Sequence, residues 1–169
     1  MTGLTGFAHS RPAWYLLATT ALGLEATALF FQYGLHLNPC VMCVYQRVAV
    51  LGILLAGLLG SLAPRSALRF VALLLWIVSA GWGLSLATEL YHIQADPSPF
   101  ATCDFMPDFP QWMPMHEWLP QVFMPTGLCS DEVWSMFGFS MTQWMQFAFS
   151  TYLFVAAVFV LPIMRKTSN

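Results

Sequence analysis

The sequence predicts an all-α membrane protein, a four-transmembrane-helix up-down bundle with one long external loop that contains a short interfacial helix. Three observations carry that expectation. Hydrophobic residues make up 58% of the 169 and charged residues only 8%, against roughly a quarter charged in a soluble globular protein. Four predominantly apolar stretches, Trp14 to Gln32, Val44 to Leu62, Phe70 to Thr88 and Trp144 to Pro162, reach the roughly 20 residues that cross a hydrocarbon core at about 1.5 Å per residue. The charges then sort by side. Four spans place both termini and the 63–69 connection on one face, with Arg11, Arg65, Arg69, Arg165 and Lys166, five of the six basic residues. An excess of Lys and Arg marks the cytoplasmic face.

Taken in order, the first span follows Arg11 and resembles a secretory signal at its start. Its apolar run is too long for one and ends in Phe30, Phe31, Gln32 and Tyr33, with no small-residue cleavage site after it. A short external loop, about 33–43, leads to the second span. Asn38 is expected to cap that helix and Pro39 to take its first position. The tight turn Ala63 to Leu68, around Pro64, makes the second and third spans antiparallel neighbours.

The segment 89–143 carries Asp96, Asp104, Asp108, Glu117, Asp131 and Glu132 and no Lys or Arg. It is therefore expected outside, in a bacterium in the periplasm. Pro97, Pro99, Pro107, Pro110, Pro114, Pro120 and Pro125 exclude long regular structure there, while its Phe, Trp and Met content argues against plain disorder. Trp112, Met113, Met115, Trp118, Leu119, Val122 and Phe123 suit one apolar face of a short helix in the membrane interface, with ordinary loop packing as the alternative. The whole chain, 1–169, reads as a single membrane domain.

All four cysteines, Cys40, Cys43, Cys103 and Cys129, fall on the external side, where disulfides persist. Two pairs allow three connectivities, and spacing does not choose among them. Cys40 and Cys43 stand where the second helix enters the lipid. Unpaired N–H groups and the positive end of the helix dipole favour a thiolate there, and a thiolate is the nucleophile of disulfide exchange. A structural disulfide, or half of a zinc site shared with Cys103 and Cys129, are the alternatives. The 25 residues between Cys103 and Cys129 are looser than a metal-binding knuckle, so a second disulfide fits better than a zinc site, whether as a redox relay or a loop staple.

Arg47 lies one helical turn beyond Cys43 and is the one basic residue on the external side. A cation just inside the lipid boundary needs an anion or a polar ligand. It is expected to support the Cys43 thiolate or to bind a carbonyl of a lipid-soluble cofactor, unless it snorkels to the interface. Glu25, in the middle third of the first span, is either a protonated, hydrogen-bonded structural group or a participant in proton delivery. His36 and His92, near the external boundary, are shuttle candidates, although satisfied interfacial histidines are commoner. His9 and His116 have less claim.

The runs NPCVMCVYQR (Asn38 to Arg47), PSPFATCDFM (Pro97 to Met106) and PQVFMPTGLC (Pro120 to Cys129) resemble the DsbB family of disulfide bond formation proteins, over essentially the whole chain. The resemblance implies a disulfide-generating oxidoreductase of the bacterial inner membrane, with both termini cytoplasmic and the redox loops periplasmic. Its partner would be a DsbA-like periplasmic thiol oxidase, its cofactor ubiquinone or, anaerobically, menaquinone, drawn from the membrane quinone pool. In that family the DsbA–DsbB–quinone route keeps the periplasm oxidising. Carried over by residue, Cys103 forms the mixed disulfide with the partner, Cys129 is released and attacks Cys40, and Cys43 is freed beside the quinone, with Arg47 at the cofactor. Leu90 stands after Glu89 where related sequences have a histidine, so His92 is not carried over. No metal and no nucleic-acid partner is expected. A non-catalytic membrane protein closed by structural disulfides or zinc is the competing class, and a sister oxidase with a dedicated partner a third.

Overall fold

The computed structural model describes residues 6–62, 67–95, 104–131 and 134–164, with side chains to residue 160. The turn around Pro64, the run 96–103 with Cys103, Glu132 and the basic tail lie outside the described residues. Four long helices, α1 (Arg11–Tyr33), α2 (Val41–Leu62), α3 (Leu68–Ala95) and, after the loop, α6 (Met141–Met164), are long and apolar enough to cross a membrane. Between α3 and α6 lie two single turns, α4 (Met115–Trp118) and α5 (Pro120–Phe123), and a small antiparallel hairpin, β1 (Ser135–Met136) with β2 (Phe139–Ser140).

Each long helix outruns the apolar stretch that announced it, because helical hydrogen bonding does not stop where the lipid does. Pro12 sits in the first turn of α1, where a missing N–H costs nothing. The third helix continues past Thr88 through Glu89, His92 and Gln94 to Ala95. The last begins at Met141 behind a reciprocal cap: Ser140 N–H donates to Gln143 Oε1 at 2.9 Å, and Gln143 N–H donates to Ser140 Oγ at 3.4 Å.

The second helix begins two residues later than expected. Val41 is its first residue and Cys40, rather than Asn38, precedes it; the Cys40 carbonyl accepts the first helical bond, from Val44 N–H at 3.1 Å. The expected interfacial helix is likewise split. Leu119 separates α4 from α5 with φ −135°, since a residue before proline is driven out of the helical region. Trp112 and Trp118 remain 75% and 62% exposed, as boundary tryptophans are, while Phe123 turns inward and is buried.

Helix α2 is central, packing on α1 and α3, and α6 packs on α3. Lipid tails are as apolar as leucine, so close packing rather than water exclusion holds such helices together, and small residues mark the contacts. Gly57 lies against the backbone of Ala18, Gly60 against the ring of Trp14, and Gly83 against Phe149. Ala21, Ala56, Ala72, Ala80 and Ala87 are fully buried around them. Many other large apolar side chains face outward: Phe30, Leu55, Leu74 and Phe154 are half or more exposed, a surface matched to hydrocarbon. At the end of the bundle away from the loop, Arg69 Nη1 meets His9 Nδ1 at 3.1 Å and Trp14 Nε1 donates to the Ala8 carbonyl at 3.2 Å. His9 thus belongs to packing at the far end.

Candidate functional site

The sulfurs of Cys40 and Cys43 are 2.8 Å apart, both as free thiols. That is longer than the ~2.05 Å of a disulfide bond and within closing distance of one. The local cause is the helix start. With Cys40 in the cap position, its Sγ accepts the N–H of Cys43 at 3.4 Å, as a serine or aspartate cap would. The hydrogen bond its S–H donates to the Cys43 sulfur, and then burial, push the Cys40 thiol up from its ordinary value. Cys40 therefore holds its proton while the pair is reduced.

The loop is fastened to this dithiol by backbone and side chains together. The Pro39 carbonyl accepts two N–H groups, from Thr126 at 2.9 Å and Gly127 at 3.0 Å. A Cβ at position 127 would collide with the Asn38 carbonyl, so the approach requires glycine. This brings Cys129, which is disulfide-bonded, into one buried cluster with Cys40, Val41 and Leu90. Asn38, expected as a helix cap, instead accepts the Thr126 hydroxyl at 3.4 Å.

Arg47 does not snorkel. It is 6% exposed and its guanidinium donates from Nη1 to Gln32 Oε1 at 2.6 Å and to the Val122 carbonyl at 2.7 Å, and from Nη2 to the Ala28 carbonyl at 3.4 Å. Gln32 Nε2 and the Tyr33 hydroxyl both donate to the Gln121 carbonyl, at 3.1 and 2.5 Å. The end of α1, Arg47 of α2 and the turn α5 are thereby one clamp. Deeper in the loop, Asp108 N–H donates to the Tyr45 hydroxyl at 2.7 Å, and Phe109 stacks on His116 and meets Tyr45 and Phe123 edge-on. His116 is thus a packing residue, beside Glu117 at 3.9 Å.

Beside the dithiol opens a cavity of about 850 Å³, its mouth included, with Cys40, Cys43 and Arg47 on its wall. Leu24, Phe31, Val50, Leu90, Trp134 and Met145 supply an apolar lining, and Glu25, Gln46, Gln94 and Thr142 interrupt it. Thr142 donates to Gln94 Oε1 at 2.5 Å and Gln94 Nε2 to the Asp131 carbonyl at 3.3 Å, tying α6, α3 and the segment after Cys129 together. His36 and His92 are exposed, and neither lines the cavity.

Of the residues singled out from sequence, the structure gathers Cys40, Cys43, Arg47 and Cys129 at one end of the bundle; Cys103 lies outside the described residues. Sequence reasoning missed Gln32, Gln46, Gln94 and Thr142. The available signal was a polar side chain at or near a span boundary, which is common and does not single out a partner. Among the described residues no three His, Cys, Asp or Glu side chains come together as metal ligands.

A free dithiol on the wall of a cavity in a four-helix membrane bundle, with a disulfide-bonded cysteine packed beside it, defines the class of multi-pass membrane thiol–disulfide oxidoreductases. Comparison with known proteins agrees. The family described as Disulfide bond formation protein DsbB matches residues 10–159. Proteins named Disulfide bond formation protein B are similar over full length: that of Shewanella loihica is 59% identical, with 100% of this chain and 99% of the relative covered. That of Shewanella sp. strain W3-18-1 is 55% identical over 100% and 97%, and that of Shewanella amazonensis 52% over 99% and 100%. The chain belongs to the DsbB family, and its function is disulfide bond formation.

Proposed function

We propose that this protein is a protein-dithiol:quinone oxidoreductase of the bacterial inner membrane, with its termini in the cytoplasm. It re-oxidises a DsbA-like periplasmic thiol oxidase and passes the electrons to ubiquinone, or to menaquinone without oxygen. The observation that carries this reading is the placement of Cys43 and Arg47 on the wall of one largely apolar cavity. A flat, two-carbonyl ring fits such a wall. The bonds Arg47 makes leave its Nε–H and one Nη2–H uncommitted among the described residues, and the amide nitrogen of Gln46 is buried without a partner. Both are donors for a carbonyl oxygen.

The steps run through the four cysteines in turn, as the family likeness implies. The partner's thiolate attacks Cys103 and releases Cys129 as the leaving thiolate. Cys129 is packed with Cys40 and attacks it when Cys40 and Cys43 are joined, freeing Cys43. The partner's second thiolate then resolves the mixed disulfide and the partner leaves oxidised, and Cys103 attacks Cys129, which restores the Cys103–Cys129 bond and releases Cys40 as a thiol. A bound quinone supplies the two-electron sink. Re-closing the Cys40–Cys43 bond delivers two electrons from sulfur and returns the pair to its starting state. The apolar lining keeps water from intercepting the thiolate, and Arg47, one turn further along α2, balances its charge.

The test is to mix purified protein with a reduced thioredoxin-fold partner and ubiquinone-1 and follow quinone absorbance. Stoichiometric loss of absorbance with oxidation of the partner is expected; an inert quinone overturns the reading.

A further inference from the structure

Two side chains on the cavity wall carry buried polar atoms that have no hydrogen-bond partner among the described residues. Both carboxyl oxygens of Glu25 and Nε2 of Gln46 are buried without partners, on residues 7% and 4% exposed, and both residues line the cavity with Cys43 and Arg47. Glu25 makes no ion pair with Arg47 within 4.0 Å; the described residues show one ion pair, His116 with Glu117. A bare carboxylate in a membrane span is costly, and such residues usually mark a pathway or a proton relay.

We infer that Glu25 is the intramembrane proton donor of the electron-transfer step, a role that rests on the quinone reading above and deepens it. The requirement comes from balance. Closing the disulfide from a Cys40 thiol and a Cys43 thiolate releases two electrons but only one proton, the one on Cys40 Sγ. Reducing two carbonyls to two hydroxyls takes two electrons and two protons. The second proton must come from another group on the wall.

The titratable and charged groups there are Cys40 at the cap of α2, Cys43 and Arg47 of α2, Glu25 of α1 and Asp131 of the loop. Asp131 is exposed, and the guanidinium keeps its proton at any working pH. Glu25 remains, as a carboxylic acid facing the cavity. Dithiol with one thiolate, Glu25 carboxylic acid and quinone become disulfide, Glu25 carboxylate and hydroquinone, with one negative charge on each side. The guanidinium of Arg47, on the same wall, then stabilises the carboxylate until a proton arrives from outside.

The experiment uses the full chain in lipid nanodiscs, reduced and mixed rapidly with ubiquinone-1 beside a pH-indicator dye. In the wild type, loss of quinone absorbance is expected to precede proton uptake from the medium. In Glu25→Gln the two become simultaneous and the rate falls roughly a hundredfold or more, the usual worth of a positioned acid. Quinone binding at equilibrium, read by tryptophan quenching, stays within about twofold, and Glu25→Asp restores part of the rate. Without quinone, the infrared difference between wild type and Glu25→Gln is expected to show a carboxylic-acid carbonyl band. Simultaneous uptake in the wild type overturns the inference even if the variant fails to fold, as does an unchanged rate in a folded variant. If the wild type leaves quinone unreduced, the function proposed above fails first and this inference with it.

Discussion

Replacing Arg47 by methionine keeps the length of the side chain and removes the cation, and its consequences divide into two measurable parts. The first is the clamp. Arg47 makes two short charge-assisted bonds, to Gln32 Oε1 and the Val122 carbonyl, and a long one to Ala28. Bonds of that kind are worth about 1.5–3 kcal/mol each, and relief from burying a cation offsets part of the loss. A net destabilisation of about 2–4 kcal/mol follows. The second part is the cofactor. If an uncommitted N–H of Arg47 holds a quinone carbonyl, losing it costs about 1.5–3 kcal/mol, or roughly ten- to a hundredfold in apparent KM at ~1.4 kcal/mol per decade. The assay is ubiquinone-1 reduction across a concentration series, with trapping of the partner's mixed disulfide at Cys103 as control. Gln32→Leu separates the two effects, since it loosens the clamp and leaves the free donors alone. Stability should fall in both variants, the quinone KM should rise only in Arg47→Met, and Arg47→Lys should lie between. An unchanged KM in Arg47→Met, or an equal rise in Gln32→Leu, refutes the carbonyl contact.

Other outcomes follow from the same geometry. Alanine at either Cys40 or Cys43 should abolish quinone reduction by the reduced partner, and normal turnover in either would remove the dithiol from the pathway. Because its pKa is raised from 9.0, first by Cys43, Cys40 in the reduced protein should alkylate with iodoacetamide more slowly than an ordinary thiol at pH 8–9. Cys43→Ala should bring its titration back down, and mass-spectrometric rates against pH show whether it does. The sign for stability follows: the contribution of the bound proton is complete below 9.0 and is lost only as pH rises above it toward the raised value. Gly57→Ala places a Cβ 2.7 Å from the Ala18 backbone nitrogen, which should cost about 1–3 kcal/mol of bundle stability in denaturant titrations. Gly81→Ala, with nothing within 4 Å, should be neutral or mildly stabilising, and equal effects at the two positions would contradict the packing.

The four spans and the chemistry-bearing residues Cys40, Cys43 and Arg47 were legible from the chain because each obeys a one-dimensional rule. Lipid thickness fixes how long an apolar run must be, and charge bias assigns its ends. A cation in a span stands out whatever it touches. Helix ends were less legible, since hydropathy reports where the lipid stops rather than where hydrogen bonding stops. Hence α3 runs on to Ala95 and the cap of α2 falls on Cys40 instead of Asn38. Pro120 should have signalled the break at Leu119, but the apolar pattern across it hid the break.

Only the tertiary structure decided which groups meet. That the Pro39 carbonyl takes up the loop at Thr126 and Gly127, that Cys129 packs with Cys40, and that Gln32 and the Val122 carbonyl hold Arg47 are contacts between segments up to 89 residues apart. No local propensity encodes such pairings. They arise because each polar group taken from water must find a partner, and the folded chain determines which are within reach. Glu25 and Gln46 are informative for the converse reason: packing buried both carboxyl oxygens and the amide nitrogen and, among the described residues, supplied nothing for them to bind.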